Sequence, residues 1–103
     1  MGVTTAKLLA RPARHVWIRD QAAKPEDYVV DWTARMAAGE TITVSTFELP
    51  KSDLLAINAS NTLQLAIVRI CGGTTGQAYE IVSRITTKAG RQLQQVIRLR
   101  VKG

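Results

Sequence analysis

The sequence is poor in the residues on which most enzyme and metal chemistry rests. It holds one cysteine, Cys71, and one histidine, His15. A lone cysteine excludes an intrachain disulfide, and together with a lone histidine it excludes a zinc site of the Cys/His type. No window approaches the roughly 18 consecutive apolar residues that a membrane-spanning helix needs. Lys7, Arg11 and Arg14 interrupt the N-terminal segment, so no apolar stretch of signal-peptide length stands there. The chain is expected to be soluble, free of disulfides and made in a reducing compartment. A sustained helical periodicity is also missing. A helix over residues 53–58 is conceivable but would be only about a turn and a half long.

What the chain does contain is β-former. Its 103 residues suffice for one domain and not for two. The hydrophobic share is 46%, Val, Ile and Leu supply more than half of it, and Thr is frequent besides. Branching at Cβ suits a pleated sheet better than a helix. Charge is uneven. Residues 1–25 carry Lys7, Arg11, Arg14, Arg19 and Lys24 against Asp20 alone, whereas the remainder of a chain with formal net charge +6 is only mildly basic. Residues 1–24 therefore read as an extended basic arm suited to an acidic partner, and residues 25–103 as a β-sandwich domain. Within the arm Val16, Trp17 and Ile18 form an apolar patch. Trp17 either folds back on the chain's own core or anchors the arm in a neighbouring subunit.

From Pro25 onward the pattern has period two. Tyr28, Val30, Trp32 and Ala34 alternate with polar or oppositely facing positions, which predicts a half-buried strand. A turn at Ala38-Gly39-Glu40 precedes a strand over Thr41–Phe47, with Ile42 and Val44 on one side. Leu54–Ile57 predicts a short strand, and Asn58-Ala59-Ser60-Asn61 a turn. Thr62–Cys71 is apolar on both faces, as in a central strand or one covered by a partner. Gly72–Gly76 predicts a tight connection. Tyr79–Thr86 and Leu93–Val101 alternate around a Lys88-Ala89-Gly90-Arg91 loop and predict a hairpin. Six strands, or seven with an early one over Val3–Leu9, make an antiparallel sandwich of the immunoglobulin-like kind.

Candidate chemistry is sparse. His15 reads as a surface histidine, Cys71 as a buried inert thiol, and Glu26, Asp27 and Asp31 as solvated charges or partners for Arg35. No catalytic residue, cofactor site or metal site is expected. Arg84, Arg98 and Arg100 should project from one sheet face as a basic stripe. With Arg11, Arg14, Trp17 and Ile18 they form the candidate partner-binding set. A solvated face, a protein docking surface and a nucleic-acid surface all fit such a stripe. Nucleic acid is disfavoured because that face offers no aromatic platform for stacking bases.

Four segments together carry a family resemblance: Pro25-Glu26-Asp27-Tyr28-Val29-Val30-Asp31-Trp32, Gly39-Glu40-Thr41-Ile42, Gly72-Gly73-Thr74-Thr75-Gly76-Gln77-Ala78-Tyr79 and Thr86-Thr87-Lys88-Ala89-Gly90-Arg91. In order and spacing they resemble a family of small tailed-phage virion proteins, some of them fibre–tail adaptors. The resemblance covers roughly residues 25–101, and the arm lies outside it. It implies an immunoglobulin-like sandwich and a non-catalytic virion subunit, assembled in the host cytoplasm in many copies and docked to tail, neck or fibre proteins. It also implies that Trp32 and Tyr79 are core aromatics and that the glycines serve backbone geometry. Membranes are not expected as partners. A capsid decoration protein remains the alternative within the same structural class, and a basic nucleic-acid-binding module the alternative outside it.

Overall fold

The computed structural model of the chain describes residues 3–9, 14–20 and 25–103. Among the described residues eight strands form two four-stranded sheets. They are β1 (Val3–Lys7), β2 (His15–Asp20), β3 (Glu26–Asp31), β4 (Ile42–Glu48), β5 (Leu54–Asn61), β6 (Leu65–Gly72), β7 (Ala78–Thr87) and β8 (Gln92–Lys102). Sheet A has the order β1-β3-β6-β5 and sheet B the order β2-β8-β7-β4. The all-β sandwich expected from the sequence is therefore present. The described residues hold eight strands rather than six or seven, because the N-terminal segment contributes two.

The N-terminal segment departs from the expectation of a loose arm. β1 pairs in parallel with β3, and β2 in parallel with β8, so the sandwich is not purely antiparallel. One outer strand of each sheet thus comes from the segment that its charge marks as an arm. Ala6, Leu8 and Trp17 sit in the core, with Trp17 fully buried. Charge misleads here because Asp20 lies on the exposed side of the same strand as Val16, Trp17 and Ile18, where an edge strand tolerates a charge, and because the Arg19 charge is taken up inside the fold. Arg19 is itself buried. Its Nε donates to the Gly72 carbonyl at 2.8 Å, Nη1 lies 3.3 Å from the Tyr28 hydroxyl, and Glu26 completes the group at 3.7 Å. The Trp17 and Tyr28 rings meet beside it with centroids 5.2 Å apart, within the range of favourable aromatic pairs.

The two sheets enclose one core. Tyr28, Val30, Trp32, Ala66, Val68 and Ile70 come from the sheet A side; Trp17, Ile81, Ile85, Ile97 and Leu99 from sheet B. β6 is central, as its double-sided apolar run predicted. Alternation on β7 and β8 also follows the sequence closely, with Tyr79, Ile81, Ile85, Ile97, Leu99 and Val101 inward. Trp32 is a core aromatic whose Nε1 donates to Ser83 Oγ at 3.4 Å.

Local departures have local causes. β3 ends at Asp31, and a short 3-10 turn over Thr33–Arg35 leaves Ala34 exposed. The Asp31 carboxylate accepts the Thr33 amide at 3.0 Å, a side-chain cap that competes with continued strand pairing. The register of β4 shifts between Ile42 and Val44, so Val44 turns outward and Phe47 and Leu49 pack against the core instead. β5 runs through Asn58–Asn61, where turn formers predicted a turn, because β6 supplies a partner for each of those residues. Cys71 lies opposite Leu55 and is partly exposed on the outer face, not buried. Glu26 and Asp27 meet Arg19 and Arg69, while Arg35 donates to Gln95 at 2.8 Å and to the Leu9 carbonyl.

The Gly72–Gly76 segment is the tight connection expected. Gly72 has φ +84°, and a Cβ there would stand 2.2 Å from the Asp53 carbonyl oxygen. Only glycine fits both that backbone angle and that approach.

Candidate docking surface

Period-two alternation sends every second side chain of a strand to the outer face. On β8 that set is Gln92, Gln94, Val96, Arg98, Arg100 and Lys102, the inward set being Leu93, Gln95, Ile97, Leu99 and Val101. The parallel register with β2 lays Val16 beside Arg98, Ile18 beside Arg100 and Asp20 beside Lys102. The antiparallel register with β7 adds Glu80 beside Arg98, Ala78 beside Arg100, Val82 beside Val96 and Arg84 beside Gln94. The outer face of sheet B is thus a band of cations edged by aliphatic side chains. Val16, Ile18 and Val96 are 48%, 50% and 42% exposed.

The structure brings Ile18, Arg84, Arg98 and Arg100 onto this one face. Arg14 is exposed just before β2 and lines, with Val16, Glu80, Val96 and Arg98, a shallow depression of about 390 Å³. Trp17 points the opposite way, into the core, and has no share in the surface. Arg11 lies outside the described residues. Within the band the arginines differ. Arg84 is held by Glu48 at 2.6 Å and by Gln94 at 3.3 Å. Among the described residues Arg98 and Arg100 make no ion pair, although Glu80 stands opposite Arg98 in the register.

Val16, Val96 and Lys102 also belong to the band, and the candidate set drawn from sequence omits them. The signal was present: Val96 and Lys102 share the alternation that selected Arg98 and Arg100. Val16 could be added only once β2 was known to be a strand beside β8.

Elsewhere polar side chains act as struts between loops. Glu40 accepts from Arg91 Nε at 2.8 Å, Arg91 Nη2 at 2.6 Å, Thr87 Oγ1 at 2.6 Å and the Ala37 amide at 2.8 Å. The Arg91 and Thr87 bonds hold its carboxyl down to a pKa of about 2. Asp53 accepts from Thr74 Oγ1 and from the Tyr79 hydroxyl at 2.8 Å, which lower its pKa in that order. His15 faces inward on β2, and burial first, then the nearby Arg35 charge, lower its pKa. No group of three or more His, Cys, Asp and Glu residues among those described could hold a metal ion. No helix among them is long and apolar enough to cross a membrane.

An exposed face that joins unpaired arginines to aliphatic side chains suits protein docking, because guanidinium groups and apolar contacts together dominate interface cores. Residues 21–100 match the family described as podophage GP4 fiber-tail adaptor protein gp77. β1 and β2 lie before the matched segment. Among solved structures, the solution structure of the PKD domain from KIAA 1837 protein is similar at 15% identity and a TM-score of 0.49, over 90% of this chain and 82% of that one. No curated protein sequence matches the chain.

Proposed function

Since the chain belongs to the podophage GP4 fibre-tail adaptor gp77 family, we propose that it is a structural, non-catalytic virion subunit that docks to tail or fibre proteins through the outer face of sheet B. An adaptor needs a rigid body carrying a surface that a neighbour can recognise. The two-sheet core supplies the first. The band of Arg98, Arg100 and Lys102 between Val16, Ile18 and Val96 supplies the second.

The observation that carries the assignment of this face is the absence of an ion pair at Arg98 and Arg100 among the described residues, next to half-exposed aliphatic side chains. A cation already matched within its own chain, such as Arg84, gains little from a partner. An unmatched guanidinium gains a charge-assisted hydrogen bond from an acidic group. The partner surface is therefore acidic where it meets Arg98 and Arg100 and apolar where it meets Val16, Ile18 and Val96. Exposed charges of this kind also speed association and make it depend on salt.

The test is a double charge reversal, Arg98→Glu with Arg100→Glu, in the full chain. Both positions are exposed, so the variant is expected to keep its melting temperature within a few degrees. Its incorporation into particles is expected to fall at least tenfold. Incorporation at the wild-type level by a folded double variant would refute the assignment of this face.

A further inference from the structure

The strands at the edges of the two sheets differ in how they discourage pairing with another chain. β1 carries Lys7, β2 carries Asp20, and β4 carries Glu48. Charge on an edge strand is the usual deterrent to further strand addition. β5, the remaining edge among the described residues, carries none, and the sequence is uncharged from Leu54 to Val68. Apart from Leu54, every residue of β5 is exposed. Leu63, Leu55 and Ile57, at 65%, 56% and 53% exposure, all lie on this strand or in the hairpin that follows it.

We infer that the free edge of β5 pairs antiparallel with β5 of a second copy of this chain. Charge argues for that occupant. With a formal net charge of +6, two copies repel over most orientations. The long uncharged segment is where they approach with least repulsion, whereas an acidic or basic partner would find nothing there to recognise. The residue pattern is also compatible with itself. Asn58–Asn61 is the regular part of the strand beyond the register shift at Ala56/Asn58. In an isologous antiparallel pair, residues that face each other point to the same side of the sheet. A two-fold axis at Ser60 meets that condition and sets Asn58 opposite Thr62 of the second copy. It also carries Ile57 towards Leu63 of that copy, so that exposed aliphatic side chains cover one another at both ends.

The pairing uses the edge of sheet A and leaves the Arg98/Arg100 face of sheet B free, so it is separable from the docking role proposed above. The experiment is sedimentation of the full chain across a concentration series, for the wild type, Ser60→Lys and the Arg98→Glu/Arg100→Glu variant. The wild type and the sheet B variant are expected to reach dimer at tens of micromolar. Ser60→Lys, which sets two lysines against each other at the axis, is expected to stay monomeric with an unchanged circular-dichroism spectrum and melting temperature. A monomeric wild type at several hundred micromolar would overturn the inference. So would a Ser60→Lys protein that dimerises as the wild type does. A monomeric wild type whose particle incorporation is lost on Ser60→Lys would also overturn it, and would assign the edge to a strand of another virion protein.

Discussion

Arg91 grips Glu40 through two hydrogen bonds, Nε to Oε2 at 2.8 Å and Nη2 to Oε1 at 2.6 Å, across 51 positions of sequence. The fork joins the loop before β4 to the β7–β8 hairpin, and Thr87 and the Ala37 amide occupy further acceptor sites on the same carboxylate. Two segments that carry the family resemblance, Gly39-Glu40-Thr41-Ile42 and Thr86-Thr87-Lys88-Ala89-Gly90-Arg91, are thus two halves of one contact. A bidentate guanidinium–carboxylate pair fixes direction as well as distance, which suits a strut between loops.

Acid should loosen that strut within a defined window. The Glu40 carboxyl has a pKa of about 2 when folded, against about 4.5 for the free group. Its charged form is favoured by folding, so its contribution is complete above the unfolded value and is lost as pH falls through the folded one. Stability of the wild type is expected to decline between about pH 5 and pH 2. Glu40→Gln should melt at a lower temperature at pH 7 and show a flatter decline below pH 5. Thermal melts followed by circular dichroism across that range would measure both. Equal acid sensitivity in the two proteins would place the titrating group elsewhere.

The N-terminal strands should be required for folding rather than dispensable. Read as an arm, residues 1–20 could be removed without harm to the domain. In the fold they supply β1 and β2, an outer strand for each sheet, and bury Ala6, Leu8 and Trp17. Deleting them would expose the inner edges of β3 and β8 together with the core behind Trp17. A chain lacking residues 1–20 is expected to show no cooperative unfolding transition. The single change Trp17→Ala should cost about 3–5 kcal/mol, as large-to-small changes at buried aromatic positions do. Denaturant titration with linear extrapolation measures the second, and a cooperative, wild-type-like melt of the truncated chain would refute the first.

The contrast between the two ends of the chain shows what a single sequence makes legible. β7 and β8 are long, joined by a short Gly-containing loop, and alternate without interruption, so local pattern alone specified their register and inward faces. The outer-face cations Arg84, Arg98 and Arg100 followed directly. β1 and β2 are short, and their pairing is parallel and distant in sequence, β2 meeting β8 about 80 residues later. Parallel pairing leaves no turn signal to read, and edge strands carry charges that resemble an arm. Val44 was misplaced for a different reason. A bulge adds one residue and inverts the alternation after it, and residues around Val44 carry no glycine to announce it. The Glu40–Arg91 pair was hidden because it depends on how two loops converge.

A second polar strut ties the loops at the other end of β7. The Tyr79 hydroxyl donates to Asp53 Oδ1 at 2.8 Å and accepts the Thr74 amide at 3.0 Å, so one oxygen ties the start of β7 to both neighbouring loops. The ring itself is buried in the core. Tyr79→Phe keeps the ring and removes the oxygen, which separates packing from hydrogen bonding. The expected loss is about 1 kcal/mol, the net worth of a typical intramolecular hydrogen bond, because water can reach the exposed Thr74 amide once the hydroxyl is gone. Asp53 keeps its bond from Thr74 Oγ1, the larger cause of its lowered pKa, so that pKa should rise only part of the way to its ordinary value. The sharper readout is local. Amide hydrogen exchange at Thr74 should accelerate in Tyr79→Phe, while exchange at Ile81 and Ile97 in the core stays slow. Faster exchange at the core amides as well would mean that the hydroxyl supports the sandwich as a whole rather than its loop.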